Sequence, residues 1–242
     1  MDIKIITLFP NEMKTIFLKG LFKKAIENSL FSIEFIDLRA FSFDKHNRVD
    51  DYPFAYKKGM LLKADVIYRA VTSIKNYMDY TILYTCPKGD VFSQDMATNF
   101  LKNENIIILA GYYKGVDERI FDLLPIRRVS IGDFILSSGE LPALMMTEAI
   151  IRQIPGVVGH PNCVEEDSIL SGLLYPPEYT YPRDVEGKEV PKVLLGGNHK
   201  EINKWRRKEA LKETLFKKPH LLVKYNTNLE DKLILTDILK EI

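Results

Sequence analysis

Apolar residues gather along this chain in short blocks that switch between two periods. Ile3 to Phe9 is a β-branched apolar run halted by Pro10, which predicts a strand. Asn11 is then placed to cap a helix whose apolar positions Met13, Ile16, Phe17, Leu21, Phe22 and Ala25 keep helical spacing. Ser32 to Leu38 alternates as a strand does, Asp44 to Lys58 has no period and predicts a loop, and Ala64 to Met78 returns to helical spacing. Thr81 to Cys86 and Ile106 to Gly111 are short, continuous apolar runs, the pattern of strands buried on both faces. Each is followed by a segment compatible with a helix. Strands alternating with helices predict an α/β fold built on a parallel sheet.

Leu141 to Ile154 is different. Leu141, Ala143, Leu144, Met145, Met146, Ala149, Ile150, Ile151 and Ile154 leave a helix with almost no polar face, ended by Pro155-Gly156. Such a helix needs cover on every side, and in a chain of this size a second subunit is one way to supply it. Beyond it the pattern divides the chain into residues 1–158, a polar irregular linker over 159–172, and a basic, helical C-terminal domain over 173–242.

Composition narrows the classes. With 242 residues, 46% hydrophobic and 28% charged, the chain is neither disordered nor fibrous. A net charge of +1 names no partner, but nine Lys or Arg against three Glu between Lys200 and Lys224 make a local basic block. That block is either a solvated helix face or a contact for a polyanion. Cys86 and Cys163 are the two cysteines, with no CxxC pair. No apolar run reaches the length of a membrane span, and Met1 to Lys4 lacks the layout of a signal peptide. The expectation is a soluble, cytoplasmic protein without membrane contact.

The familiar nucleotide signatures, GxGxxG after a strand and GxxxxGK[ST], are absent, as are HExxH and GxSxG. What stands out instead is three glycine-punctuated strand ends: Tyr84-Thr85-Cys86-Pro87-Lys88-Gly89, Gly111 to Arg119, and Ser130 to Pro142. Open α/β sheets bind ligands at the carboxyl ends of their strands, and glycine there lets a ligand reach the backbone. The plain alternative is that all three are ordinary turns.

These segments resemble one family. SIGDFILSSGELPAL (Ser130–Leu144) is similar to the SIGDYVLSGGELPA signature of the TrmD tRNA (guanine-N1)-methyltransferases, and GYYKGVDERI (Gly111–Ile120) to their GRYEGxDxR loop. Asp44-Lys45-His46 with Asp50-Asp51-Tyr52-Pro53 resembles their DKHxxxDDxP loop. Glu165 to Ser168, Gly172 to Leu174, Pro177 to Pro182, Asn198-His199 and Trp205-Arg206 resemble later segments in order, so the similarity runs from Ile3 to about Leu222. The resemblance implies a parallel sheet with a deep trefoil knot of the SPOUT type, a small helical C-terminal domain, and a homodimer whose active site lies between subunits. It implies transfer of methyl from S-adenosylmethionine to N1 of guanosine 37 of tRNA, next to the anticodon. The cofactor residues it indicates are Tyr84, Thr85, Cys86, Pro87, Gly111, Tyr113, Gly115, Ile131, Gly132, Asp133, Phe134, Ile135, Leu136, Ser138 and Gly139. Asp167 matches the proposed base, and Arg152 a residue thought to assist; otherwise Asp167 caps a helix start and Arg152 a helix end. Asp44, His46 and Asp50 match part of the tRNA-facing surface, otherwise a network of turn side chains, and Lys204, Arg206, Arg207 and Lys208 would meet phosphates.

The chain departs from the family pattern in three places. The glycine run after DDxP is Ala55-Tyr56-Lys57, the GRYEG arginine is Tyr112, and its glutamate, linked in the family with a magnesium ion, is Lys114. Mg²⁺ use is therefore an open question. Two rivals stay beside the leading reading: a methyltransferase of the same fold acting on another RNA, and a non-catalytic dimeric protein that binds RNA or a nucleotide.

Overall fold

The computed structural model describes residues 1–17, 19–55, 58–103, 105–158 and 169–240. The chain divides into two compact units, Met1–Pro161 and Asn162–Ile242. Most of the expected linker, 159–168, lies outside the described residues; 169–172 fall in the second unit.

The first unit is an α/β domain. Its elements are β1 (Asp2–Thr7), α1 (Pro10–Phe17), α2 (Gly20–Glu27), β2 (Ser32–Asp37), the two-residue strands β3 (Asp50–Asp51) and β4 (Leu61–Leu62), α3 (Ala64–Thr72), β5 (Thr81–Val91), α4 (Gln94–Leu101), β6 (Asn105–Leu109), α5 (Ile120–Leu123), β7 (Ile126–Ser130) and α6 (Glu140–Ile151). Five strands form one sheet in the order β2-β1-β6-β5-β7, and every pairing in it is parallel. All five carboxyl ends therefore share one edge.

Burial on both faces explains the unbroken apolar runs. Ile106 and Ile108 of β6 join the core that holds Ile3, Ile5, Leu83 and Ala143, while Ile107 and Leu109 join the opposite core with Ile6, Ile82 and Ile67. Side chains alternate between faces, so a strand with two cores needs apolar residues at both parities. Each fully buried isoleucine contributes about 1.5–3 kcal/mol of transfer free energy.

Several expectations change. The first long helix is two helices, because Lys19 is extended and Gly20 has φ +58°. Asn11 is not a cap: α1 starts at Pro10, and the Phe9 carbonyl accepts the first helical bond from Met13 N–H at 3.2 Å. Proline suits a first helical turn, where its missing N–H is not needed. The helix from Ala64 stops at Thr72, and Asn76 then takes a left-handed turn (φ 57°) into a short 3-10 turn at Tyr77–Asp79. The loop from Asp44 contains β3, paired antiparallel with β4. Finally, α6 runs from Glu140 to Ile151, ends before Ile154, and is covered on one side: Ala143, Met146, Ile150 and Ile151 are buried, while Leu141 and Met145 are each 56% exposed.

The second unit is helical, as expected, with one addition. Asp184–Val185 and Lys188–Glu189 form a tiny antiparallel hairpin. Its turn is Glu186-Gly187, both at positive φ (50° and 78°), the primed turn that matches strand twist. Helices Lys192–Leu195, His199–Lys217, Pro219–Lys224 and Leu229–Lys240 follow. A small core of Leu173, Ala210, Leu211 and Ile238 holds them. No helix among the described residues is long and apolar enough to cross a membrane.

Candidate functional site

The three glycine-punctuated loops meet at the carboxyl edge of β5, β6 and β7, and Thr85 is where they join. Its hydroxyl accepts from Gly111 N–H at 3.0 Å and donates to the Gly139 carbonyl at 3.3 Å. Gly139 N–H in turn donates to the Gly111 carbonyl at 2.6 Å. No side chain fits at this junction: a Cβ on Gly139 would lie 2.1 Å from Thr85 Oγ1 and 2.3 Å from Gly111 N. Chain adjacency does not explain the contact, since Thr85 and Gly139 are 54 residues apart.

Beside this junction lies a cavity of about 680 Å³. Fourteen of the fifteen residues proposed for the cofactor line it; Asp133 does not. Asp133 sits at the apex of a turn closed by Phe134 N–H donating to the Gly132 carbonyl at 3.0 Å. β5 supplies its part of the wall through an irregularity. Its register with β7 breaks between Thr85 and Asp90, so Cys86, Pro87 and Lys88 leave the ladder and turn into the lining. Pairing resumes past Gly89, where a Cβ would stand 2.3 Å from Val129 N.

The cavity also has charged walls that sequence reasoning left out. Glu118 pairs with Lys88 (3.3 Å) and with Arg128, whose guanidinium lies 3.7 Å above the Phe121 ring. Glu118 stands inside the GVDERI segment, so its motif was the available signal. Burial pushes the Tyr84 phenol far above its ordinary value, with Cys86 adding to the shift. Tyr84 is thus a neutral wall at any ordinary pH.

A cavity of this size with apolar walls, glycine-exposed backbone and few charges suits a nucleoside-bearing small molecule. A sequence profile of the family described as "tRNA (Guanine-1)-methyltransferase TrmD" matches residues 1–224. The chain belongs to the TrmD family. A "tRNA (guanine-N(1)-)-methyltransferase" of Dictyoglomus turgidum is 43% identical over 240 residues, covering 99% of this chain and 97% of the relative. Proteins of the same description from Staphylococcus carnosus (40% identical, 100% and 99% covered) and Caldanaerobacter subterraneus (41%, 96% and 96%) are similarly close.

The family's other motif positions are placed unevenly. Asp167 lies outside the described residues. Arg152 is the C-cap of α6, whereas the cavity touches the start of that helix at Gly139 and Pro142. Twelve residues of helix separate the two ends, about 18 Å. Within one chain, Arg152 is therefore not a wall of this cavity. Asp44 is held in a turn network: it accepts from His46 N–H at 2.8 Å and from Arg48 Nη2 at 2.8 Å, and Arg48 beside it holds its carboxyl well below the usual range. Burial raises the phenol of Tyr113, and Asp50, on β3, raises it further, so the DKH loop and the cavity meet there.

In the second unit Lys204 and Arg206 are exposed and Lys208 half-buried. Arg207 differs from the other three. Its Nε and Nη2 donate to the Asp231 carboxylate at 2.7 and 2.8 Å, and Nη2 also reaches the Tyr225 hydroxyl. Asp231 is 1% exposed, so Arg207 is held by an internal partner.

The departures from the family pattern have visible geometry. Ala55, at a family glycine position, keeps φ 67°, which is strained for any residue with a Cβ. Tyr56 and Lys57 lie outside the described residues. Tyr112 packs edge-on against Phe9 and Tyr113. Lys114 lines the cavity.

Proposed function

We propose that this protein transfers the methyl group of S-adenosylmethionine to N1 of the guanosine at position 37 of a tRNA. The observation that carries the reading is the convergence of the three loops on one cavity at the carboxyl edge of a parallel sheet, in a chain of this family. When bound, S-adenosylmethionine supplies an electrophilic methyl carbon on a sulfonium. The residues of this chain then have two tasks. Loops 84–88, 111–115 and 131–139 hold the donor, and positioning alone supplies about 7–11 kcal/mol. Asp167 takes the proton from guanine N1, so the freed lone pair bonds the methyl carbon as the carbon–sulfur bond breaks and S-adenosylhomocysteine leaves. Lys204, Arg206 and Lys208 meet RNA phosphates.

The same proposal includes a homodimer. Leu141 and Met145 on α6, and Ile135 in the cavity lining, are exposed apolar residues, and a second copy would cover them. It would also bring Arg152 to the partner's cavity, which its place at the far end of α6 requires if it assists the reaction. The return of segment 131–139 to Gly111 and Thr85 supports a threaded, knotted path. Its place of action is the cytoplasm, with its tRNA.

The test is transfer of labelled methyl to tRNA transcripts carrying G or A at position 37. Labelling of the G37 transcript alone supports the proposal. Labelling of both, or of a different RNA only, favours another substrate, and labelling of none favours a binding protein.

A further inference from the structure

Four charged side chains line the cavity: Lys88, Lys114, Glu118 and Arg128. Three of them satisfy one another, because Glu118 offers one carboxylate oxygen to Lys88 and the other to Arg128. Among the described residues, Lys114 has no carboxylate partner in this wall. Its side chain is exposed, and its backbone and stem are placed by neighbours. Its backbone N–H donates to the Met60 carbonyl at 3.1 Å, and its side chain lies across the bare Cα of Gly59. A Cβ at Gly59 would stand 2.5 Å from both Cδ and Cε of Lys114 and 2.9 Å from Cγ, so the bare Cα lets the stem lie where it does. Gly59 has φ +101°, a second reason for glycine there. A cation whose stem is set in a backbone groove at the wall of a ligand cavity is built to meet an anion.

We propose that Lys114 binds the α-carboxylate of S-adenosylmethionine and so selects donors that keep their amino-acid end. This rests on the reading of the cavity given above. The reason is chemical: adenosine is neutral, the sulfonium and α-ammonium are positive, and the α-carboxylate is the donor's one anionic group. Lys88 and Arg128 are each drawn to Glu118, which leaves Lys114 as the cation to receive it. A charge-assisted hydrogen bond of this kind is stronger than a neutral one and directional enough to set where the methyl carbon points.

Calorimetry tests it with two probes. S-adenosylhomocysteine has the carboxylate; 5′-methylthioadenosine keeps the nucleoside and thioether but lacks the amino-acid end. Lys114→Met, which preserves the apolar stem over Gly59, is expected to weaken S-adenosylhomocysteine roughly 10-fold, while 5′-methylthioadenosine binds within about twofold of wild type. Lys114→Arg is expected to keep most of the affinity. Equal weakening of both probes would mean that Lys114 only shapes the cavity, and unchanged binding of both would mean that it meets nothing on the donor; either result overturns the assignment. So does a Lys114→Met variant that binds S-adenosylhomocysteine normally but tRNA weakly, since the anion would then be a phosphate. Failure of the wild type to bind either probe would overturn the reading of the cavity itself, and this inference with it.

Discussion

The Thr7 hydroxyl donates a 2.8 Å hydrogen bond to Glu140 Oε1, joining the end of β1 to the first residue of α6 across 133 residues. Both side chains are buried, and Thr7 Oγ1 also accepts from Phe9 N–H at 3.0 Å. Thr7→Val keeps the shape and removes both bonds, leaving a buried carboxylate without its donor. The expected cost is about 2 kcal/mol. Thr7→Ser keeps the hydroxyl and should stay within about 1 kcal/mol of wild type. Urea titration of the three proteins checks this; equal midpoints for Val and Ser would show that the bond contributes nothing.

Gly139 is required for space rather than for conformation, since its φ of −90° is open to any residue. A methyl group there meets Thr85 Oγ1 and, at 2.3 and 2.9 Å, the backbone N and O of Gly111, which cannot swing away. Gly139→Ala should push the 131–139 loop off the strand ends and weaken S-adenosylhomocysteine at least 10-fold. Gly196→Ala, where the nearest atom to a new Cβ is 3.8 Å away, is the control and should bind normally. Normal ligand affinity in Gly139→Ala would show that the junction does not shape the cavity.

Legibility in the sequence followed the range of the forces involved. The parallel sheet was readable because Ile106 to Leu109 must be apolar at every position when two cores flank it. The break at Gly20 was not, because Leu21, Phe22 and Ala25 stay at helical spacing on both sides of it; the interruption lies in φ, not in the pattern. Fourteen cavity positions were legible through a family signature, whereas the pairing of Glu118 with Arg128 was not, since it joins two segments only in three dimensions. Arg207 looked like its neighbours Arg206 and Lys208. Only the fold reveals that its partner Asp231, 24 residues on, is buried.

That pair gives the second unit an acid-sensitive contact. Arg207 holds the Asp231 carboxyl below its ordinary value, burial opposing the shift. A carboxylate with a depressed folded-state pKa stabilises fully above its unfolded value near 4 and loses that contribution as pH falls through the folded value. Arg207→Ala leaves the buried charge alone and should destabilise by about 3 kcal/mol at neutral pH. Its stability should also change less than wild type between pH 5 and pH 2. Trp205, the single tryptophan, lies in the helix that carries Arg207, so its fluorescence reads this unit. Identical acid profiles for variant and wild type would sink the idea.

The same distinction separates fold from binding in the basic block. Lys204→Ala and Arg206→Ala should lower tRNA affinity without moving the Trp205 unfolding transition. Removing one cation that meets a phosphate should also reduce the slope of log affinity against log salt by about 0.7–0.9. A salt slope unchanged in the double variant would place the RNA on another surface.

Asp167 is the residue on which the chemistry of the proposal turns. Guanine N1 carries a proton, and a lone pair cannot form the new bond to the methyl carbon until that proton has somewhere to go. The asparagine of an Asp167→Asn variant has the same outline and can still accept hydrogen bonds, but its amide does not take a proton. Single-turnover methyl transfer to the G37 transcript should therefore fall by about 10²–10⁴, the usual worth of a general base. Affinities for S-adenosylhomocysteine and tRNA should stay within about twofold, because neither donor loops nor phosphate contacts are touched. The pattern separates two roles: a helix cap replaced by asparagine would cost little, asparagine being as good a cap as aspartate. If transfer stays near the wild-type rate, another group accepts the N1 proton and Asp167 serves the backbone instead.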